Sequence, residues 1–323
     1  MIKRFYFELK GEGSVVGGTF FMTTPVAVAL DLDFVKTILV KDFHHFHDRG
    51  FYVNERDDPL MANLLSIEGP GWKSLRAKLS PTFTSGRMKL IFPILKDISN
   101  RFVQCLNEEL SERKEIELSD YMSRFMIDTI ANCAFGLDSN SLRDPNNEFY
   151  IKGQEASDIL IARTLKSVFM TSFKKLSVFL RLRVINEEMT QYYTKIVADT
   201  MAYRDENNVQ RDDFLSMLMK LRHREELNGD SGKTMDYEKI TNKEIVGNAF
   251  LFIVAGYHTS AASLEFCILE LAHNTDIQDR LRNEIRSVLE QHENTMSYNA
   301  LMDMKYLDNV VNGKSKRLYL QIK

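Results

Sequence analysis

TNKEIVGNAFLFIVAGYHTSAASLEFCILELAH, running from Thr241 to His273, is the stretch on which the reading of the fold turns. It opens with Thr241-Asn-Lys-Glu244. In that spacing the threonine hydroxyl accepts the N–H three residues on, and the glutamate reaches back to the threonine N–H. This capping box predicts a helix start, and nothing proline-like interrupts the pattern before His273. Near the middle stand Ala255, Gly256, Tyr257, His258, Thr259 and Ser260. A glycine inside a helix costs about 1 kcal/mol relative to alanine, and it permits a close approach to the backbone. A following threonine can bond the carbonyl four residues back and bend the helix. A glycine notch beside a hydroxyl could hold a small ligand. On local grounds alone, helix–helix packing through small residues is the preferred reading.

The same freedom from proline extends widely. All six prolines of the 323 residues (Pro25, Pro59, Pro70, Pro81, Pro93 and Pro145) lie in the first half. Because a proline in a helix interior costs roughly 3 kcal/mol, the remainder is free to form long helices. Helical patterns are predicted over about 72–79, 87–111, 119–136, 147–169, 185–207, 212–223, 241–273 and 276–292. Pro93 must sit in the early turns of its helix or kink it. β-rich runs at Ser14–Met22 and Val26–Leu32 predict two strands, separated by Thr23-Thr24-Pro25. Asp33 reads as the N-cap of a short helix, Ser119 as the cap of the 119–136 helix, Gly136 as its C-terminal glycine and Glu115–Leu118 as a possible strand. The fold class is mainly α with a small N-terminal β portion.

Composition narrows the function classes. With 42 Lys+Arg against 45 Asp+Glu, the net charge is −3, and nothing global points to nucleic acid. Three cysteines are too sparse for a disulfide scaffold and suit reducing surroundings or a cytosol-facing protein. MIKRFYFELKGEG is too charged for a signal peptide, and no run of 18 consecutive apolar residues predicts a transmembrane helix. Gly232-Lys233-Thr234 and Gly313-Lys314-Ser315 end like phosphate-binding loops. Both lack the earlier glycine, which is Leu227 in one case and Asp308 in the other, and neither follows a strand. His44, His45 and His47 in FHHFHD lack metal-ligand spacing and read as an ordinary polar loop.

Two weaker signals remain. Trp72 and Arg76 stand four residues apart on one helical face. An indole N–H and a guanidinium fork together suit the carboxylates of an anionic cofactor, although core-plus-surface is the commoner meaning of such a pair. Residues 159–186 contain six Lys or Arg and no acid, with Phe169, Met170, Phe173, Leu176, Phe179 and Leu182 between them. An interfacial membrane segment and a core-facing helix with a solvated basic face fit this pattern equally.

These signals fall into order through a resemblance. GPGWKSLRAKLSPTFTSGRMK (Gly69–Lys89), RDDFLSMLMKLR (Arg211–Arg222), AGYHTSAASLEFCILELAHN (Ala255–Asn274) and MKYLDNVVN (Met304–Asn312) together resemble the cytochrome P-450 family. The likeness covers nearly the whole chain to Asn312 and is nearest to insect microsomal members. It implies a P-450-like helical domain over 1–312, incomplete at its C-terminus, and an unrelated tail over 313–323. It also implies a haem-thiolate monooxygenase that places one oxygen atom of O₂ in a lipophilic substrate. Electrons would come from NADPH through a reductase partner, on the cytosolic face of the endoplasmic reticulum. Carried onto this sequence, Trp72 and Arg76 would bond haem propionates, and Ala255 and Gly256 would lie over the haem face. Thr259 would help deliver protons. His258 stands where the family usually has an acid, and it would alter oxygen activation or fill space. Residues 159–186 fall where the family meets the membrane, which favours the membrane reading of the basic block.

The sequence also departs from the family. It contains no Glu-x-x-Arg spacing, and Gly313 stands where that glutamate is expected. Cys105, Cys133 and Cys267 lie in helical apolar patterns, without the glycine-rich context of an iron-ligating cysteine. No metal ligand is therefore assigned. The expectation is a chain cut at both ends, with KSKRLYLQIK intron-derived or a gene-model error, that is inactive as it stands. The alternative is a haem-free, helical, membrane-peripheral binding remnant.

Overall fold

A computed structural model describes residues 2–10, 13–21, 24–113, 115–162, 164–223 and 240–321. The turn-rich 228–233 stretch and Gly232-Lys233-Thr234 lie outside the described residues, as does Arg163. The chain begins with α1 (Ile2–Lys10), followed by β1 (Val16–Phe21) and β2 (Thr24–Ala29). The two strands form one antiparallel hairpin, in register from Val16 opposite Ala29 to Phe21 opposite Thr24. A short helix α2 (Leu32–Lys36) then passes into a π-helical turn over Thr37–Lys41. Its cap is Asp31, whose carboxylate accepts the Phe34 N–H at 2.9 Å, and not Asp33, which lies inside the first turn.

The helical body follows as α3 (Gly69–Leu79), α4 (Ser85–Glu112), α5 (Leu118–Ile130), α6 (Glu148–Ala162), α7 (Thr164–Ser172), α8 (Lys174–Phe179) and α9 (Glu187–Asn207). Then come α10 (Phe214–His223), α11 (Asn242–His273), α12 (Thr275–Gln291), α13 (Tyr298–Asp303) and α14 (Lys305–Gln321). Pro93 lies inside α4, which continues through it. Residues Glu115–Glu117 form no strand; they lead directly into α5, whose N-cap position is Glu117 and not Ser119. A four-residue run has no neighbour to pair with here, so its β propensity gives way to the start of the helix. α5 ends through a π-helical turn (Ala131–Phe135) at Gly136, which takes the left-handed φ of 66° expected of a C-terminal glycine. Gly313, read from sequence as the start of a tail, is an interior residue of α14.

α11 is the axis of the fold. Its capping box forms as predicted: Thr241 N–H donates to Glu244 Oε2 at 2.7 Å and Glu244 N–H to Thr241 Oγ1 at 3.2 Å. It is the one helix among the described residues long and apolar enough to cross a membrane by length and composition. Nevertheless its first half is enclosed by protein. Ile245, Ala249, Phe250, Ile253 and Tyr257 join Leu75, Leu79, Ile127, Phe135 and Tyr193 in the main core. α5 packs along α11, and the short turn Pro59–Met61 lies across its first half.

That turn is held from both sides. Gly247 allows it to approach, since a Cβ there would sit 2.6 Å from the Ala62 carbonyl oxygen. Asn248, fully buried, accepts the Leu64 N–H at 3.0 Å and donates to the Glu244 carbonyl at 2.7 Å. On the other side, fully buried Asp58 accepts the N–H groups of Val184 and Ile185 at 2.7 and 3.0 Å. Burial pushes the Asp58 carboxyl up, against the pull of those two donors. Tyr52 donates to the Leu182 carbonyl at 2.8 Å. The segment that leads into α3 is thus fixed before α3 begins.

Candidate functional site

α3 presents two faces. Leu75 and Leu79, four residues apart, are buried in the main core. Trp72 and Arg76, also four apart, share a neighbouring face on which Trp72 is half-buried and Arg76 exposed. The Trp72 indole Nε1 is shut away from solvent and has no hydrogen-bond partner. An indole nitrogen can only donate, and a buried donor left unmatched costs about 1–3 kcal/mol. A carboxylate ligand would remove that penalty. The donor set, one neutral N–H and one cationic fork a helical turn apart, fits the paired carboxylates of haem.

The loop read from sequence as an ordinary polar segment packs on this pair. Phe43 meets the Trp72 ring edge-on, with centroids 5.9 Å apart and planes at 67°. The His47 ring lies nearly parallel to the indole, at 5.8 Å and 16°. Asp48 Oδ1 accepts from His47 Nδ1 at 2.5 Å and from the Gly69 N–H at 2.7 Å. The Gly69 donor holds the Asp48 carboxyl below the usual carboxylate range, and His47 adds to the effect.

On α11, Ala255, Thr259, Ser263 and Phe266 all lie exposed at helical spacing, forming one open stripe. Thr259 Oγ1 donates to the Ala255 carbonyl at 2.7 Å, the back-bond expected of a mid-helix threonine. Its lone pairs remain available to accept. His258 is exposed beside it, with its ring 6.2 Å from that of Tyr257. A Cβ at Gly256 would meet Ile130 Cδ1 at 3.0 Å. The glycine is the notch through which α5 packs on α11, so the structure gives it the small-residue packing role.

Among the described residues no hydrogen bond joins the α3 pair to the α11 pair. They are linked by an aromatic bridge. Phe83, one short turn beyond α3, stacks on Phe252 at 5.4 Å and 8°, and Phe214 closes on Phe252 at 3.8 Å. Phe252 is three residues before Ala255, so the bridge joins the turn after α3 to the part of α11 that precedes Ala255.

Cys105 lies in α4, Cys133 in the π-helical turn after α5 and Cys267 in α11, all as free thiols. Burial pushes the Cys133 thiol up to about 11, with Asp213 adding to the effect, and burial raises Cys105 as well. Cys105 and Cys133 are thereby kept in the thiol form, as suits small apolar-packed side chains.

A charged cluster that the sequence did not reveal lies where α9 and α10 meet the end of α5. Arg204 (4% exposed) and Asp213 (0%) form a two-pronged ion pair at 2.8 and 2.7 Å. Arg204 also donates to Ser216 Oγ and to the Phe135 carbonyl, both at 2.7 Å. Arg211 reaches Asp213 at 3.1 Å and Asn132 at 2.8 Å. This cluster ties α9 and α10 to the end of α5. Asp213 standing just before an apolar helix was its only trace in the sequence.

Comparison with known proteins agrees with this architecture. The family described as "Cytochrome P450" matches residues 1–312. The chain is 38% identical over 318 residues to cytochrome P450 6a2 of Drosophila melanogaster, covering 98% of this chain and 62% of that protein. It is 37% identical over 313 residues to cytochrome P450 6A1 of Musca domestica, covering 97% of this chain and 60% of that protein. The chain belongs to the cytochrome P450 family, and it spans about three-fifths of the length of the curated relatives it matches.

Proposed function

We propose that this chain carries the propionate-holding edge and the oxygen-side helix of a haem monooxygenase acting on lipophilic small molecules. The single observation that carries the reading is the buried Trp72 Nε1, without a hydrogen-bond partner among the described residues, beside the exposed Arg76. Trp72 would donate to one haem carboxylate and Arg76 would clamp the carboxylates by charge. Bound haem supplies dioxygen binding and the redox chemistry that places one oxygen atom in an apolar substrate. Ala255 keeps the α11 stripe small where the cofactor face would lie. Thr259 holds a proton at Oγ1, bonded to the Ala255 carbonyl, and can accept another from solvent. His258, exposed at the preceding position, would relay protons to it, since an imidazole can both donate and accept a proton.

NADPH would supply electrons through a reductase partner, at the endoplasmic reticulum membrane. Membrane contact through 159–186 is supported by Phe169, Phe173, Phe179 and Leu180, exposed among Lys174, Lys175 and Arg181. In this polypeptide none of Cys105, Cys133 and Cys267 would supply a thiolate to iron, because all three lie in helical apolar segments without a glycine-rich loop around them. On that ground the 323 residues alone would hold haem through its carboxylates without running the oxygenation.

Haemin titration tests the reading. Arg76→Ala should weaken haemin binding by about 10-fold or more, since a hydrogen bond to a charged group contributes about 1.5–3 kcal/mol. Unchanged affinity would remove Arg76 from the site.

A further inference from the structure

We infer that His47 and Asp48 are positioning residues for Trp72, locking the indole so that its N–H faces the cofactor carboxylate; this rests on the proposed Trp72–Arg76 reading. The geometry is a short relay. One oxygen, Asp48 Oδ1, accepts from both His47 Nδ1 (2.5 Å) and the Gly69 N–H (2.7 Å). Gly69 is the first residue of α3, three before Trp72. The same carboxylate therefore fixes the entry of the helix and the plane of the imidazole. His47, only 13% exposed at its side chain, lies nearly parallel to the indole, and Phe43 blocks the indole edge-on.

A tryptophan side chain has two rotatable bonds, and each must be held for its N–H to keep one direction. Near-parallel and edge-on partners at 4.5–7 Å are favourable contacts that resist ring rotation. Donating to Asp48 through Nδ1–H sets the imidazole tautomer as well as its plane. The placement of Asp48 at the N-terminus of α3 also suits its charge, because the helix dipole favours an anion there. Neither His47 nor Asp48 need touch the cofactor. Carboxylates that orient a ligand-bearing ring act in this way in metal sites, where their loss weakens binding.

Trp72 is the only tryptophan in the chain, so its fluorescence reports this device directly. The test combines acrylamide quenching and anisotropy of Trp72 in the purified chain with titration by haemin. His47→Ala and Asp48→Ala should raise quenching, lower anisotropy and weaken haemin binding by about 10-fold. Asp48→Asn keeps an oxygen acceptor and should return all three readouts towards wild type. Arg76→Ala should weaken haemin binding with quenching unchanged. Quenching and anisotropy unaltered in both alanine variants would overturn the inference. So would a mobile indole with full haemin affinity, in a background where Arg76→Ala does weaken binding. A flat Arg76→Ala titration would instead overturn the reading of the site on which this inference stands.

Discussion

Asp213→Ala should destabilise the fold by about 3–5 kcal/mol, the cost of leaving a buried charge without its partner. The side chain is fully buried, and its two oxygens serve four donors. Oδ1 accepts from Arg204 at 2.8 Å and from the Ser216 N–H at 2.9 Å; Oδ2 accepts from Arg204 at 2.7 Å and Arg211 at 3.1 Å. Truncation strands the Arg204 guanidinium, itself 4% exposed, in the core. It also removes the cap of α10, because Ser216 stands three residues beyond Asp213 in the N-cap geometry. The loss spreads, since Arg204 carries the Phe135 carbonyl and Gly136 leaves the room for it; a Cβ at Gly136 would collide with the guanidinium. Denaturant unfolding of the purified chain measures the effect, and a loss below about 1 kcal/mol would show that the pair is dispensable. Replacing both partners by apolar residues (Arg204→Met with Asp213→Leu) should recover most of the stability, because the penalty lies in the unpaired charge and not in the absence of the bridge.

The second large effect is expected at Gly247→Ala. Alanine would normally strengthen a helix interior by about 1 kcal/mol. Here the added carbon would lie 2.6 Å from the Ala62 carbonyl oxygen and 3.0 Å from its carbon. Those atoms are backbone and cannot swing aside as a side chain would. Overpacking of this kind costs about 1–3 kcal/mol, and a backbone obstacle puts it at the upper end, so the net expectation is a loss of about 2 kcal/mol. Relief would come by lifting the 60–64 segment off α11, which would break the Asn248–Leu64 bond. That segment leads into α3, so the variant should also weaken haemin binding. A gain in stability would mean that the close approach is not a constraint.

The sequence carried the parts of this architecture that repeat locally. The Thr241–Glu244 box, the Gly136 stop and the β1–β2 hairpin each rest on residues within a few positions of one another. Trp72 and Arg76 were legible for the same reason, as an i,i+4 pair. Features that depend on assembly were not. Arg204 and Asp213 carry no local mark of their pairing, and only the convergence of α9, α10 and the end of α5 buries them together. His47 and Asp48 read as a polar loop because their partners, Trp72 and Gly69, lie some twenty residues on. Gly256 shows the reverse case: its local meaning as a packing notch is what Ile130 fulfils. Glu115–Leu118 was misread because four residues of strand-like composition carry no pairing information.

The central claim is that the α3 face of Trp72 and Arg76 recognises the carboxylates of haem. It is tested most directly by titrating the unaltered chain with haemin and, in parallel, with haemin dimethyl ester, whose carboxylates are blocked. The account predicts binding of the free acid at least about 10-fold tighter than the ester, corresponding to one lost charge-assisted contact of roughly 1.4 kcal/mol or more. Equal affinity for the two forms would contradict it.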